Sequence, residues 1–466
     1  MTNRIRIDGW LLGGMCLLLT GINVLAQDAR PQPSPSLTKP TVMIRAAGGL
    51  SSLDLLKAPP VEDVRPNPDD IRTDPQSMLY ATEGVLVETL DGKTVLSQSA
   101  NVGFNPASAV KLATALAALK SFGPNHRFDT AFWTNGVFDK STGTITGNLY
   151  ISGRDPSFHY EHGVEIAGEL NRLGIKTVTG DLIVPPKFTL NFDSSALRSG
   201  EQLYDTLDST RRSAAATRAW MSQQATFANS RVNEAPPSVA VMGAVYVDSV
   251  APGARMILTH QSSKLVDILK VLLCYSNNFM AERVGESLGG PEGVRRVAIE
   301  AAGIDPTEIR LSTTNGLGIN RVTPRAMIRI FGALNDTLAQ DGLTVSDLLP
   351  VAGIDPGTMQ RRFTDFRERG SVIAKTGTLT HTDGGVSALV GQMRTSGGET
   401  LRFVIFDRGG NVRAWRAHQD TLISAIQMLR GGPGQFEYRP SPLTMRLADT
   451  VTNSSKVHAD EFEPAP

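Results

Sequence analysis

Cysteine is nearly absent from this sequence: Cys16 and Cys274 are the only two among 466 residues. That excludes a scaffold held by disulfides and a zinc site built on several thiolates. Net charge is absent as well, with 46 Lys and Arg against 46 Asp and Glu. Neither a strongly basic nucleic-acid binder nor an acidic solvating tail is therefore the theme of the chain. Long apolar runs are missing too. The best one, 10–26, is broken by Gly13, Gly14, Thr20, Gly21 and Asn23, which leaves it short and weakly apolar for a membrane span. Two familiar signatures of hydrolysis also fail. His159-Tyr160-Glu161-His162 lacks the spacing of a helical zinc-protease motif, so surface histidines are expected there, and no Gly-x-Ser-x-Gly elbow occurs.

What remains is ordinary globular material, 41% hydrophobic and 20% charged. Its length suggests about two or three domains. Arg4 and Arg6 precede the 10–26 stretch, and Val24-Leu25-Ala26 supplies small residues before Gln27. This layout predicts a secretory signal peptide over 1–26, hence a periplasmic or otherwise exported protein with no stable membrane span after cleavage. Cleavage would remove Cys16 and leave Cys274 as the single thiol, with no internal disulfide. Cys16 follows Gly13-Gly14-Met15, a poor context for lipid attachment. Residues 27–76 are rich in Pro, Asp, Ser and Arg and read as a linker that cannot bury enough apolar surface to order itself. Residues 433–466 read as a polar tail that frays.

Between these ends, 80–90 and 93–97 flank Asp91-Gly92, a strong hairpin signal. Three more strand-like runs come late, at 372–374, 386–393 and 401–406. Helical spacing appears at 111–119, 265–274, 279–288 and 414–429. An economical fold pairs the early hairpin with the late strands in one antiparallel sheet and covers its faces with helices. The prediction is an α+β fold with a discontinuous main domain, 77–126 and 237–432. A smaller inserted α/β domain, 127–236, would hold strands at 128–134, 145–151 and 177–184 and a helix near 164–173.

Three short segments carry chemistry. In Asn105-Pro106-Ala107-Ser108-Ala109-Val110-Lys111, Pro106 suits a helix start, and Lys111 lies one turn beyond Ser108 on the same face. A serine hydroxyl is a poor nucleophile until a base takes its proton. A lysine can be that base only if burial or a nearby positive charge lowers its pKa. Alone, Ser-x-x-Lys is weak: Ser36-Leu37-Thr38-Lys39 repeats it inside the linker. Ser276-Asn277-Asn278 stands between two apolar helices, where a hydroxyl and an amide can relay a proton and hold a carbonyl. The plainer account is a helix cap at Ser276. Lys375-Thr376-Gly377-Thr378 falls on a strand; its glycine lets a backbone or ligand approach closely, and Lys375 and Thr376 can bind a carboxylate. A solvated edge strand would explain it equally. Cys274, ending an apolar helix, reads as a small buried hydrophobe.

Taken in order on helix, helix junction and strand, the three segments resemble those of the serine penicillin-binding enzymes and serine β-lactamases. Further stretches point to the D-alanyl-D-alanine carboxypeptidase/endopeptidases of the class C low-molecular-mass penicillin-binding proteins. They include Leu149-Tyr150-Ile151-Ser152-Gly153-Arg154-Asp155-Pro156, Gly180-Asp181-Leu182-Ile183-Val184, Leu349-Pro350-Val351-Ala352-Gly353 and Gly357-Thr358-Met359. The resemblance implies a penicillin-binding fold and an acyl-enzyme acting on peptidoglycan stem peptides, with β-lactam antibiotics as covalent inhibitors. It implies Ser108 as nucleophile, Lys111 as its base, Ser276 as proton relay and Asn278 as holder of the substrate amide. Lys375 and Thr376, beside Gly377, would bind the terminal carboxylate, and Lys375 would also help depress Lys111. The N–H groups of Ser108 and Thr378 would form the oxyanion hole. No metal, organic cofactor or nucleic acid is called for.

Some departures carry weight. Asn277 stands where the family often has Asp. Asn315-Gly316-Leu317-Gly318-Ile319-Asn320-Arg321 replaces a commoner Asp-Gly-Ser-Gly-Leu-Ser-Arg, which leaves that loop without a clear role. Residues 381–384 add length after the third motif and change one lip of the site. Ser108 and Ser276 are 168 residues apart, closer than in the larger members of this branch, so the resemblance implies one inserted domain and the loss of a second. A serine β-lactamase remains an alternative, although no separate Glu motif for deacylation is apparent. So does a non-catalytic wall-binding scaffold of the same fold.

Overall fold

Asp91-Gly92 reverses the chain between strands Glu83–Thr89 and Thr94–Gln98. Gly92 sits at φ 87°, a left-handed conformation that glycine adopts without steric cost. In the computed structural model, which describes residues 74–226 and 235–454, this hairpin joins three late strands in one antiparallel sheet. The order is Val372–Leu379, Val386–Arg394, Thr400–Arg408, Glu83–Thr89, Thr94–Gln98. The early chain is tied to the late chain through the register Glu83↔Asp407 to Thr89↔Leu401. The expected signal peptide and nearly all of the linker lie outside the described residues.

Strand alternation gives the sheet two apolar faces. Val85, Val87, Ala374, Leu389, Phe403 and Ile405 pack against Leu422, Ile423 and Ile426 of the helix Val412–Leu429. Leu86, Ile373, Ala388, Val390, Val404 and Phe406 pack on the opposite side. There they share a core with the helices Lys111–Phe122, Leu265–Tyr275 and Pro324–Gln340. This is the α+β arrangement of an antiparallel sheet flanked by helices that the sequence suggests.

A second sheet has the order Val245–Val247, Leu182–Val184, Leu149–Gly153, Asp129–Thr134, Arg255–Gln261, Val451–Ser454. Its core meets the helices Tyr160–Arg172 and Ala196–Leu207. The strands expected at 145–151 and 177–184 are each split. Gly147 and Gly180 lie where any Cβ would strike the neighbouring backbone: Gly136 Cα at 2.4 Å and Gly147 O at 2.5 Å. Residues 255–261, expected within the main domain, pair with Asp129–Thr134 from Arg255↔Thr134 to Gln261↔Asp129. Their irregular burial hides the strand from a period-two reading.

Two further expectations are corrected. The described part of the tail does not fray: Leu443 and Leu447, four residues apart on a short helix, are buried, and Val451–Ser454 adds an edge strand to the second sheet. His159 and His162 are not on the surface but fully buried. The ring of His162 is satisfied locally, because the His159 backbone N–H donates to its Nδ1 at 3.1 Å and its Nε2 faces the Leu447 carbonyl at 3.3 Å. Among the described residues, no helix is long and apolar enough to cross a membrane.

Candidate active site

Asn105-Pro106 leads into a single tight turn, Ala107–Val110, which runs directly into the helix Lys111–Phe122. Ala107 holds a left-handed φ of 46°, and its N–H donates to Asn105 Oδ1 at 3.1 Å. A residue other than glycine in that region carries roughly 1–2 kcal/mol of strain, here held by the surrounding contacts. The kink leaves Ser108 half-buried and places Lys111 one turn further in, fully buried. Lys111 Nζ lies 3.0 Å from Ser108 Oγ and donates to Asn278 Oδ1 at 2.7 Å and to the Asn315 carbonyl. Burial pushes the Lys111 pKa well below the usual lysine value, and the nearby Lys375 adds to the effect; Glu282 opposes it.

The helix Leu265–Tyr275 ends at Ser276, in a left-handed conformation with φ 57°. Asn277 caps the next helix, Asn278–Ser287, by accepting the Met280 N–H at 2.9 Å. The cap expected at Ser276 is thus made by its neighbour, and the Ser276 hydroxyl is left to accept from Lys375 Nζ at 2.8 Å. The helix end is fixed from outside: the Thr358 N–H donates to the Cys274 carbonyl at 2.9 Å, and Gly357 would place any Cβ 2.1 Å from that same oxygen. Cys274 itself is buried, with its thiol pushed up to about 12, so it stays a neutral packing group.

Lys375, Thr376, Gly377 and Thr378 lie on Val372–Leu379, the edge strand of the first sheet. A Cβ on Gly377 would come within 2.4 Å of the Pro106 carbonyl, so only glycine lets this strand meet the first motif so closely. Lys375 is fully buried, and its Nζ also donates to the Thr376 carbonyl at 2.7 Å. Burial lowers its pKa to about 7. Lys111–Asn278, Lys375–Ser276 and Gly377–Pro106 thereby close three contacts among three segments remote in sequence. All eight residues singled out from the sequence lie on these segments.

The loop after Asn315 is the part that sequence reasoning missed. Its first carbonyl accepts from Lys111, and Ser108 Oγ lies 3.5 Å from it. Gly316, at φ 91°, would put a Cβ 2.1 Å from the Ala107 carbonyl. Arg321 grips Asp383 with two hydrogen bonds of 3.0 Å, tying the loop to the extra residues after the third motif. The Asn-Gly-x-Gly pattern was the available signal, because paired glycines mark a backbone that must approach another closely.

Comparison with known proteins places the chain in a family. The chain matches the D-Ala-D-Ala carboxypeptidase 3 (S13) family over residues 65–235 and 207–428. It is 26% identical over 485 residues to a D-alanyl-D-alanine carboxypeptidase of Actinomadura sp. (strain R39), covering 83% of this chain and 88% of that protein. It is 27% identical over 406 residues to a carboxypeptidase of Mycobacterium tuberculosis (strain ATCC 25618 / H37Rv), covering 80% and 84%. Among solved structures, a predatory peptidoglycan endopeptidase of Bdellovibrio bacteriovorus shares the fold with a TM-score of 0.64 at 21% identity, over 77% of this chain and 95% of that one. Penicillin-binding protein 4 of Haemophilus influenzae does so with a TM-score of 0.55 at 21% identity, over 78% and 98%. The family match spans both halves of the sequence that build the cleft, and the chain belongs to the D-Ala-D-Ala carboxypeptidase 3 (S13) family, whose members are serine-type peptidases.

Proposed function

We propose that this protein is an exported serine D-Ala-D-Ala carboxypeptidase that acts on peptidoglycan stem peptides through an acyl-enzyme at Ser108, with endopeptidase cleavage of cross-links as a second action of the same site. The observation that carries the reading is the placement of Ser108 Oγ 3.0 Å from a buried lysine whose pKa is depressed. Neutral Lys111 takes the Ser108 proton as Oγ bonds to the carbonyl carbon of the penultimate D-alanine. Negative charge gathers on the carbonyl oxygen, where the N–H groups of Ser108 and Thr378 would receive it. Ser276, held by Lys375, gives its proton to the departing amine and regains one from protonated Lys111, and the C–N bond breaks to leave the acyl-enzyme. Water then hydrolyses the ester and Ser108 recovers its proton. Asn278 uses its Oδ1 on Lys111, so its amide NH2 is the group left to hold the substrate carbonyl. β-Lactams would arrest the cycle as stable acyl-enzymes.

The test is mass spectrometry of a stem pentapeptide and a cross-linked muropeptide after incubation with the protein. Loss of one terminal alanine is the expected result. A split cross-link adds the endopeptidase action, and no change in either substrate overturns the reading.

A further inference from the structure

The acyl-enzyme reading asks Lys111 to be neutral when acylation begins and an ammonium once it holds the Ser108 proton. That ammonium forms in a fully buried place, near a second lysine. Two acceptors wait for its N–H groups, Asn278 Oδ1 at 2.7 Å and the Asn315 carbonyl. Among the described residues, two charged groups act on it from the elements packed around it. Lys375, on the edge strand Val372–Leu379, repels the ammonium, and Glu282, on the helix Asn278–Ser287, attracts it.

Glu282 is also linked to the second acceptor. Asn278, Glu282 and Gly285 share one face of their helix, being spaced by four residues and then three. Asn278 meets Lys111 directly. One turn on, Glu282 Oε2 accepts from Thr314 Oγ1 at 3.1 Å, and the same hydroxyl lies 3.2 Å from the Ala281 carbonyl. A Cβ on Gly285 would stand 2.4 Å from the Thr314 side chain, so the missing side chain is what lets Thr314 lie against this face. From the opposite side, Thr114 Oγ1 donates to the Thr314 carbonyl at 2.7 Å. Thr314 is fully buried between the two helices and directly precedes Asn315. The far end of the Asn315–Gly316 peptide is held as well, its N–H donating to Thr313 Oγ1 at 3.2 Å. Arg283, beside Glu282 in sequence, is turned to Glu286 at 2.9 Å.

We propose that Glu282 is a positioning residue of the acylation step: its carboxylate holds Thr314, and through it the Asn315 carbonyl, against Lys111, and supplies the negative charge that favours the Lys111 ammonium while the acyl-enzyme forms. The assignment rests on the acyl-enzyme reading and gives the loop after Asn315 its part in it. One helix face then serves the base twice, through Asn278 directly and through Glu282 by way of Thr314.

The experiment is the pH profile of benzylpenicillin acylation in the full chain. Glu282→Gln keeps an oxygen for the Thr314 hydroxyl and removes the charge. Without that charge the Lys111 ammonium is less favoured, so the acid limb of the profile is expected to move to lower pH. The rate above the limb should fall about 3- to 30-fold, because Lys111 becomes a weaker base. Glu282→Asp, which keeps the charge, should leave the limb nearer its wild-type position. Thr314→Val keeps the charge and the shape of the site and cuts the link; it should slow acylation about 2- to 10-fold, the usual range for one hydrogen bond, and it tests the assignment even if the Gln variant does not fold. A Glu282→Gln protein that is slower with its limb unmoved would show a merely structural role and overturn the assignment. A wild-type rate in Thr314→Val would overturn it too. Wild-type protein that benzylpenicillin does not acylate would instead overturn the acyl-enzyme reading itself.

Discussion

Lys111 Nζ lies 3.0 Å from Ser108 Oγ, and of the two side chains it is the lysine that is fully buried. The pair works as nucleophile and base only in that arrangement, since exposure would restore the lysine to its ordinary charge. Lys111→Met should therefore slow penicillin acylation by about 100- to 10,000-fold, the usual range for loss of a general base. The measurement is the rate of labelling at Ser108. Ser108→Ala should abolish the label, and a label that survives it removes Ser108 from the mechanism.

The same burial sets a pH dependence. Lys111 accepts a proton from Ser108 only when it is neutral, so acylation should fall as pH drops through its lowered pKa. Burial is the larger cause and the Lys375 charge the second, so removing that charge should raise the Lys111 pKa without restoring it to the ordinary value. Lys375→Met is expected to lower the rate, because Ser276 loses its partner, and to move the acid limb of the profile to higher pH. A limb that stays in place would show that the two lysines do not interact.

Gly316 offers a test of the loop that shapes this site. Its φ of 91° and the 2.1 Å approach of a Cβ to the Ala107 carbonyl forbid a side chain. Gly316→Ala must push the loop off the first motif and withdraw the Asn315 carbonyl from Lys111. The expected result is at least about a tenfold loss of acylation, about 1.4 kcal/mol on the barrier, as Lys111 loses that acceptor, while the left-handed strain of roughly 1–2 kcal/mol lowers the melting temperature. Full activity would show that the loop can move without disturbing Lys111.

Much of this architecture was legible because short-range signals and burial patterns agreed. Asp91-Gly92 marks its hairpin, and Gly377 marks the place where the edge strand meets Pro106. The helices bearing Lys111 and Ser276 announce themselves by apolar spacing. What escaped depends on partners far along the chain. The strand Arg255–Gln261 has no clean alternation and exists because Asp129–Thr134 and Val451–Ser454 flank it. His162 looks like a surface residue until Leu447, 285 residues away, closes over its ring. The Asn315 carbonyl is a backbone group, and no side-chain motif could have singled it out.

That buried histidine makes the packing of the helix Tyr160–Arg172 sensitive to acid. His162 Nδ1 already faces the His159 N–H, so a proton added there would set two donors against each other. Burial is the main force holding its pKa down to about 4; His159 adds to this, while Glu161 and the Leu447 carbonyl oppose it. On the neighbouring strand His260, its ring 5.1 Å away, is depressed in the same direction by burial and by His162. The unfolded chain binds this proton near pH 6.5 and the folded chain only near 4. Stability is thus complete above the unfolded value and is lost as pH falls from there towards the folded one. The full effect is about 3 kcal/mol for His162 alone. Asp155, buried and raised to about 6, works the other way, because its folded form gains a proton first as pH falls. The difference between wild type and His162→Gln removes that contribution, since the amide keeps a donor and an acceptor but does not titrate. Denaturant unfolding at successive pH values should show the variant gaining on wild type as pH falls from 6.5 to 4. A difference that stays constant across that range would mean His162 does not resist protonation in the fold.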